Sequence, residues 1–252
     1  MDCWRRFEFK YVLHYANHAR RKVLLERELS RVGMDDVWWF VDAPSPFIDL
    51  LKKNVKTPWF MKKGEWGEHF FNVTMGHYRM INAAYHMGCK SLLAMENDIR
   101  FMKDTRKLNE AVEELPDTYD IALFDWEVVP SDKQAYTREL DVLRSQHGTG
   151  FWKKLNDKVD LRSFACRAYS RKGMRRFLDF IESAIKNNHD MHVLDADLAP
   201  SERHARPVEE VYFAWPNIAI QSRIDDERGR CDSDIRIMRR EAIGCFDTDY
   251  GS

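Results

Sequence analysis

The chain has 252 residues, 44% of them hydrophobic, so it can bury the core of one large α/β domain or two small ones. It is 32% charged, yet its formal net charge is only −1, so no global field points to nucleic acid or an anionic membrane. No apolar run approaches the roughly 20 residues of a membrane-spanning helix, and five scattered cysteines without a C-x-x-C pair exclude a disulfide framework or a zinc knuckle.

The elements follow in chain order. The opening "MDCWRRFEFK" lacks the apolar core of a secretory signal, which makes a cytoplasmic protein with reduced thiols the expectation. "KYVLHY" (10–15) predicts a strand. "ARRKVLLERELSRVG" predicts a helix with Leu25, Leu29 and Val32 on one face and Gly33 as its stop. "VWWFVDA" (37–43) predicts a second strand, and a strand–helix–strand opening is how nucleotide-binding α/β sheets begin. From Phe47 to Glu68 the pattern is irregular, basic and aromatic, as in a loop or insertion; a solvated loop, a lid and an acceptor platform all suit it.

Helical spacing returns in "TMGHYRMINAAYHMG" (74–88) and leads into the strand "KSLLAME". "TRKLNEAVEEL" predicts a helix, and "YDIALFD" (119–125) a strand that also ends in an acid. Residues 130–160 read as a polar excursion. "SFACRAYS" (163–170) is strand-like, and "RKGMRRFLDFIESAIKN" carries a helical stripe of Met174, Phe177, Leu178, Ile181 and Ile185. "EEVYFAWP" and "NIAIQ" are expected to close the sheet, with a charged tail from about 224 to 252. One α/β domain with a mostly parallel sheet flanked by helices is the simplest organisation.

The segment "SLLAMENDIRF" (91–101) carries the chemistry. Ligands of parallel sheets sit beyond the carboxyl ends of the strands, and Glu96 and Asp98 stand at such an end. Two carboxylates one residue apart on an extended stretch suit one hard cation, Mn²⁺ or Mg²⁺, with phosphate and water completing its shell. Asn97 then points away as a spectator. A strand end meeting a solvated turn is the plainer alternative.

The surrounding segments resemble glycosyltransferase family 25, the lipooligosaccharide and procollagen galactosyltransferase-like enzymes. The likeness runs through "GHYRMINAAYHMGCKSLLAMENDIRF", with Gly76-His77 at the family's Ser-His helix start and Glu96-Asn97-Asp98 at its Glu-Asp-Asp. It continues in "YVLHYANHARRKVLLERELSRVGM", "FACRAYSRKGMRRFLDFI", "HVLDADL", "VYFAWPNIAIQ" and "SDIR", so the matches span about residues 10–236. The departures are Asn97 for the middle acid, Gly76 for the serine, and the stretches 47–75 and 130–160.

The resemblance implies a Rossmann-like glycosyltransferase-A fold and a UDP-sugar donor, with galactose or glucose as the hexose. It also implies a divalent metal held by Glu96 and Asp98, and inversion at the anomeric carbon. Asp195 is then the candidate base and Asp197 the second choice, against an N-cap or a solvated turn. Arg20, His77, Glu96, Tyr169, Gln221 and Ser233 are the candidate donor-binding residues, with Asp234, Asp125 and Glu127 as further acids for metal or acceptor. Each has a plainer role: a surface cation for Arg20, a helix cap for His77, core packing for Tyr169, a strand edge for Gln221. The expected partners are a nucleotide-sugar and a carbohydrate or hydroxylated acceptor, without nucleic acid or a transmembrane segment. The setting is bacterial cytoplasmic glycan assembly, lipopolysaccharide among its products, or a viral counterpart. Two other classes stay open: a catalytically silent binding protein, and a metal-dependent hydrolase using Asp98, Asp125, Asp195 and Asp197.

Overall fold

The computed structural model describes residues 3–15, 19–42, 65–126, 133–155, 161, 165–186 and 210–221. A 3-10 turn (Cys3–Arg6) leads to β1 (Phe9–Tyr15), α1 (Ala19–Arg31) and β2 (Trp38–Asp42). Then come α2 (Glu65–His86), β3 (Ser91–Glu96), β4 (Ile99–Phe101), α3 (Thr105–Glu113) and β5 (Ile121–Leu123). The rest is α4 (Lys133–Arg144), β6 (Gly148–Thr149), β7 (Trp152–Lys154), β8 (Cys166–Ser170), α5 (Arg171–Lys186), β9 (Val211–Ala214) and β10 (Ala219–Gln221).

Eight strands form one sheet in the order β2-β1-β3-β8-β5-β9-β7-β6. The β1–β2, β1–β3 and β5–β9 ladders are parallel, whereas β8 runs against β3 and β5, and β7 against β9 and β6. Six strands therefore share one direction and two oppose it. This is the expected α/β, Rossmann-like class with a mostly parallel sheet. The antiparallel β8 sits in its middle. It brings Cys166, rather than its last residue, to the carboxyl edge beside Met95.

Helices cover both faces. Tyr11, Leu13, Leu92, Ala94 and Tyr169 face α2, α4 and α5, where Met75, Ile81, Leu143, Met174 and Leu178 pack on them. Their strand neighbours Val12, Leu93, Met95, Cys166 and Ala168 face α1, α3 and the 3-10 turn through Leu25, Leu29, Leu108, Val112 and Trp4. This alternation is why both parities along β1, β3 and β8 are buried. Helix α1 stops at Gly33, whose φ of +72° suits glycine, with Met34 N–H donating to Leu29 O at 2.9 Å. Asp104 caps α3 by accepting from the Arg106 and Lys107 amides.

Several expectations change. The stretch 47–75 was expected to be irregular, but 65–75 is the first half of α2. Its aromatic, acidic and glycine-containing composition hid that turn-by-turn pattern. His77 therefore lies inside a 22-residue helix and does not cap its start. Within 130–160, α4, β6 and β7 are regular structure. β10 does not close the main sheet: it pairs antiparallel with β4 in a small second sheet, Gln221 opposite Ile99. The tail from 224 and the residues 47–64 lie outside the described residues. No described helix is long and apolar enough to cross a membrane.

Candidate functional site

Glu96 ends β3, and Asp98 sits in the two-residue turn (97–98) that carries the chain from β3 in the main sheet to β4 in the small one. The return to apolar residues after them is thereby explained, because Ile99 and Phe101 are buried against α1 and α3. The turn is pinned by Glu96 N–H donating to Ala165 O at 2.8 Å. It divides its side chains between two neighbourhoods.

On the α2 side, Glu96 Oε1 lies 3.5 Å from His77 Nε2, and His77 Nδ1 lies 2.7 Å from the Tyr11 hydroxyl. His77 and Tyr11 are fully buried, while 17% of the Glu96 side chain is exposed. Gly76 explains how the imidazole comes so close. A Cβ there would stand 2.8 Å from Leu13 Cδ1, so glycine lets α2 settle onto β1 and brings the next residue down to the sheet. That placement offsets the roughly 0.5–1 kcal/mol that a mid-helix glycine costs.

The sheet beneath is shaped for it. Tyr11, Ala94 and Arg167 stand side by side across β1, β3 and β8, and the small Ala94 leaves room between the two long side chains. Arg167 is fully buried, two residues along β8 from Tyr169. Burial first, and then the Arg167 charge, hold His77 well below its usual pKa, so the imidazole is neutral. Burial, then Tyr169 and Glu96, hold the Tyr11 hydroxyl well above its ordinary value, so it keeps its proton. Tyr169 is pushed up to about 12 by burial, with Arg167 opposing.

On the α1 side, Asp98 Oδ2 accepts from Arg21 at 3.1 Å, the carboxylate side chain being 6% exposed and the arginine 23%. Asn97 is no spectator: it is buried, and its Nδ2 donates to His14 Nδ1 at 2.9 Å. Burial, Lys22 and Arg21 hold the His14 pKa below its usual value against Glu26, so the ring offers Nδ1 as an acceptor. An amide meets that acceptor and a carboxylate does not. Trp39 meets His14 edge-on at 5.7 Å and lies beneath the Lys22 ammonium, 5.3 Å from its ring centre.

The expected residues are thus distributed. Glu96 and His77 meet on the α2 side of the carboxyl edge of β3, Asp98 turns to Arg21 on the α1 side, and the Gln221 backbone is paired beside the turn. Asp125, fully buried just beyond β5, reaches the same edge near Cys166, whose thiol is pushed up by burial and by Asp125. Arg20 is exposed on α1; its neighbour Arg21 is the one that reaches Asp98. Tyr169 stands deep in the sheet opposite Leu92, packed edge-on against Phe177. Asp195, Asp197, Glu127, Ser233 and Asp234 lie outside the described residues. Tyr11, His14, Arg21 and Arg167 were not foreseen. The only signal for Arg21 was the doublet it forms with Arg20.

Glu96 and Asp98 offer hard oxygen donors of the kind Mn²⁺ or Mg²⁺ prefers. They fall short in number, since among the described residues no three His, Cys, Asp or Glu side chains are grouped to hold a metal ion. A cation bound by this pair would take the rest of its shell from diphosphate and water, and Asp98 would exchange Arg21 for it.

No family model and no curated sequence matches the chain. Solved structures similar to it include A197 from STIV, at 10% identity over 90% of this chain and 99% of the other, with a TM-score of 0.37. A glycosyltransferase involved in glycosylation of the major capsid of PBCV-1 matches at 9% identity over 94% and 100%, TM-score 0.38. Mouse xyloside xylosyltransferase 1, in its apo form, matches at 12% identity over 81% and 83%, TM-score 0.37. These scores all lie below 0.5, too low to carry an assignment.

Proposed function

We propose that the chain is a glycosyltransferase of the glycosyltransferase-A kind. It moves a hexose, galactose or glucose, from a UDP-sugar to a hydroxyl of a glycan or similar acceptor. The observation that carries this reading is the turn after β3. There Glu96 and Asp98 stand at the carboxyl edge of an α/β sheet beside Arg21 and His14 of the first strand–helix junction. Such edges receive nucleotides and phosphates, and a carboxylate pair with an adjacent guanidinium suits a diphosphate with its counter-cation.

A divalent cation held by Glu96 and Asp98 would neutralise the charge that grows on a departing nucleoside diphosphate. Arg21, released from Asp98, would meet a phosphate oxygen with a charge-assisted hydrogen bond. His14 and Trp39 supply an imidazole and an indole next to it, suited to the ribose or base. Inversion by direct displacement needs a carboxylate opposite the leaving group to accept the acceptor's proton. Asp195 is the first candidate and Asp197 the second, on the family resemblance alone.

One observation favours a second reading. Asp98 is already neutralised by Arg21, and Asn97 stands where the resembled family has an acid, as in a protein that keeps the fold but binds without catalysis. No observation favours the hydrolase alternative, which draws on Asp195 and Asp197 outside the described residues.

Titration calorimetry of UDP with and without Mn²⁺, on the wild type and on Asp98→Ala, tests the proposal. Metal-dependent binding that Asp98→Ala abolishes is the expected result. Undetectable UDP binding under both conditions would overturn the donor-site reading. UDP release requiring both metal and acceptor separates the transferase from the silent binder, and turnover without acceptor would mark a hydrolase.

A further inference from the structure

The far half of the carboxyl edge carries two indoles that the donor site does not use. Trp126 and Trp215 follow the ends of β5 and β9, and their rings stack at 5.4 Å with 12° between their planes. Phe213 meets both of them edge-on. Trp126 is buried, its Nε1–H donating to Ala214 O. Trp215 is only partly buried, and its backbone N–H donates to Phe151 O at 2.7 Å. The outer indole is thus locked by its neighbours and still partly open, an aromatic surface fixed before any ligand arrives. A cation stands over it. The guanidinium of Arg144, the last residue of α4, lies 6.0 Å from the Trp215 ring centre. Arg144 pairs with Asp141 at 3.1 Å, the two side chains being 61% and 63% exposed. An ion pair so open to water is worth little and is readily exchanged.

Strand register sets these indoles level with Glu96. Ala94, Arg167, Leu123 and Phe213 form one row across β3, β8, β5 and β9, and Glu96 and Trp215 each lie two residues beyond it. Two residues is the strand repeat, so both belong to the face that α2, α4 and α5 cover. Three strand spacings, about 14 Å, separate them. Trp215 is therefore close enough to serve a reaction at this edge and too far to join the shell of a metal on Glu96.

We propose that Trp215 and Arg144 form a binding site for an anionic saccharide. A pyranose presents C–H groups on its face and hydroxyls at its rim, which suits an aromatic plane with a polar group beside it. An arriving sugar takes the guanidinium's place on the indole. Its carboxylate or phosphate then draws Arg144 from Asp141 into a bidentate pair. A neutral sugar gains the stacking alone. That this saccharide is the hydroxyl acceptor rests on the transferase reading; its binding does not.

The Trp215 indole N–H resonance in ¹H–¹⁵N spectra of the full chain, assigned with Trp215→Phe, reports on the site. It is titrated with methyl galactoside, galacturonate and galactose 6-phosphate, with and without UDP and Mn²⁺. At least one charged sugar is expected to move the resonance with an affinity about 10-fold above that of the neutral one. The ranking of the two charged sugars tells carboxylate from phosphate. Arg144→Gln changes an exposed side chain and is expected to bring the charged sugars down to the neutral affinity. A resonance that no sugar moves overturns the proposal. Equal affinity for charged and neutral sugars in the wild type does the same, as does a preference that survives Arg144→Gln. UDP with Mn²⁺ is also titrated alone. Sugar binding without UDP binding leaves this site standing and removes the donor reading; UDP binding without a sugar response removes this site alone.

Discussion

The end of β3 and the turn after it place two acids in unlike surroundings. Glu96 leans on a neutral chain, His77 and Tyr11, that is fully buried beneath α2. Asp98 leans on a charge, Arg21, that is partly open to water on α1. A buried neutral contact is set by geometry and costs dearly when one partner is removed. A partly exposed ion pair is screened by salt and contributes little, so it can be exchanged for a ligand at small cost. The difference assigns the two halves separate duties: the α2 side fixes the shape of the edge, and the α1 side offers charge that a ligand can recruit.

The largest effect that would break this division is on stability. His77→Ala removes a fully buried ring and strands the Tyr11 hydroxyl, which predicts a loss of about 3 kcal/mol. Asp98→Ala leaves Arg21 with water access and predicts a loss of within about 1 kcal/mol. Urea unfolding of both variants measures the contrast. Equal losses would mean that the two sides do not differ in kind. In UDP binding the ranking is expected to reverse for Asp98, whose replacement leaves the fold and removes the ligand.

A second prediction concerns pH. His77 is buried neutral, with its folded pKa well below the unfolded value of about 6.5. Below that value the unfolded chain binds a proton that the folded chain refuses, so stability falls as pH falls. The slope from this one group is about 1.4 kcal/mol per pH unit below pH 6.5, and it ends only where the folded ring itself titrates. His14 adds a contribution of the same sign, since its pKa is also lowered. His77→Gln should flatten the slope by about one proton's worth between pH 6.5 and 5. Parallel stability–pH curves for wild type and variant would refute the neutral ring.

The same contrast marks what was legible in the sequence. The apolar periodicity of α1, α3 and α5 and the runs of β1 and β3 located those elements, because each buries one simple stripe. The start of α2 was hidden by its aromatic and charged residues. Strand direction is not written in periodicity at all, so β8 gave no sign of running antiparallel. Among site residues, Glu96 and Asp98 stood out because acids interrupt an apolar run. Tyr11 did not, since in "KYVLHY" it is one apolar strand residue among others. Arg167 in "FACRAYS" looks like the solvent-facing half of an alternating strand, yet both faces of this sheet are covered and it is fully buried. Only three-dimensional neighbours separate Arg21 from Arg20.

The smallest effect sharpens the comparison from within the α1 side. Asn97→Asp restores the acid of the resembled family and changes one amide N–H into an acceptor. The Asn97 amide now donates to a bare His14 Nδ1. A carboxylate in its place sets an acceptor against an acceptor in a buried contact, unless the ring takes up a proton. The folded His14 pKa, lowered in the wild type, should therefore rise in the variant. At pH 8, where the ring stays neutral, the variant should be less stable than the wild type by about 1 kcal/mol. The deficit should shrink as pH falls and His14 protonates, because the folded variant then binds a proton that the folded wild type does not. Histidine titration by NMR and urea unfolding at pH 8 and pH 6 measure both parts. A deficit that stays the same at the two pH values would mean that Asn97 is held by shape, and that the acid was excluded for reasons other than the bond to His14.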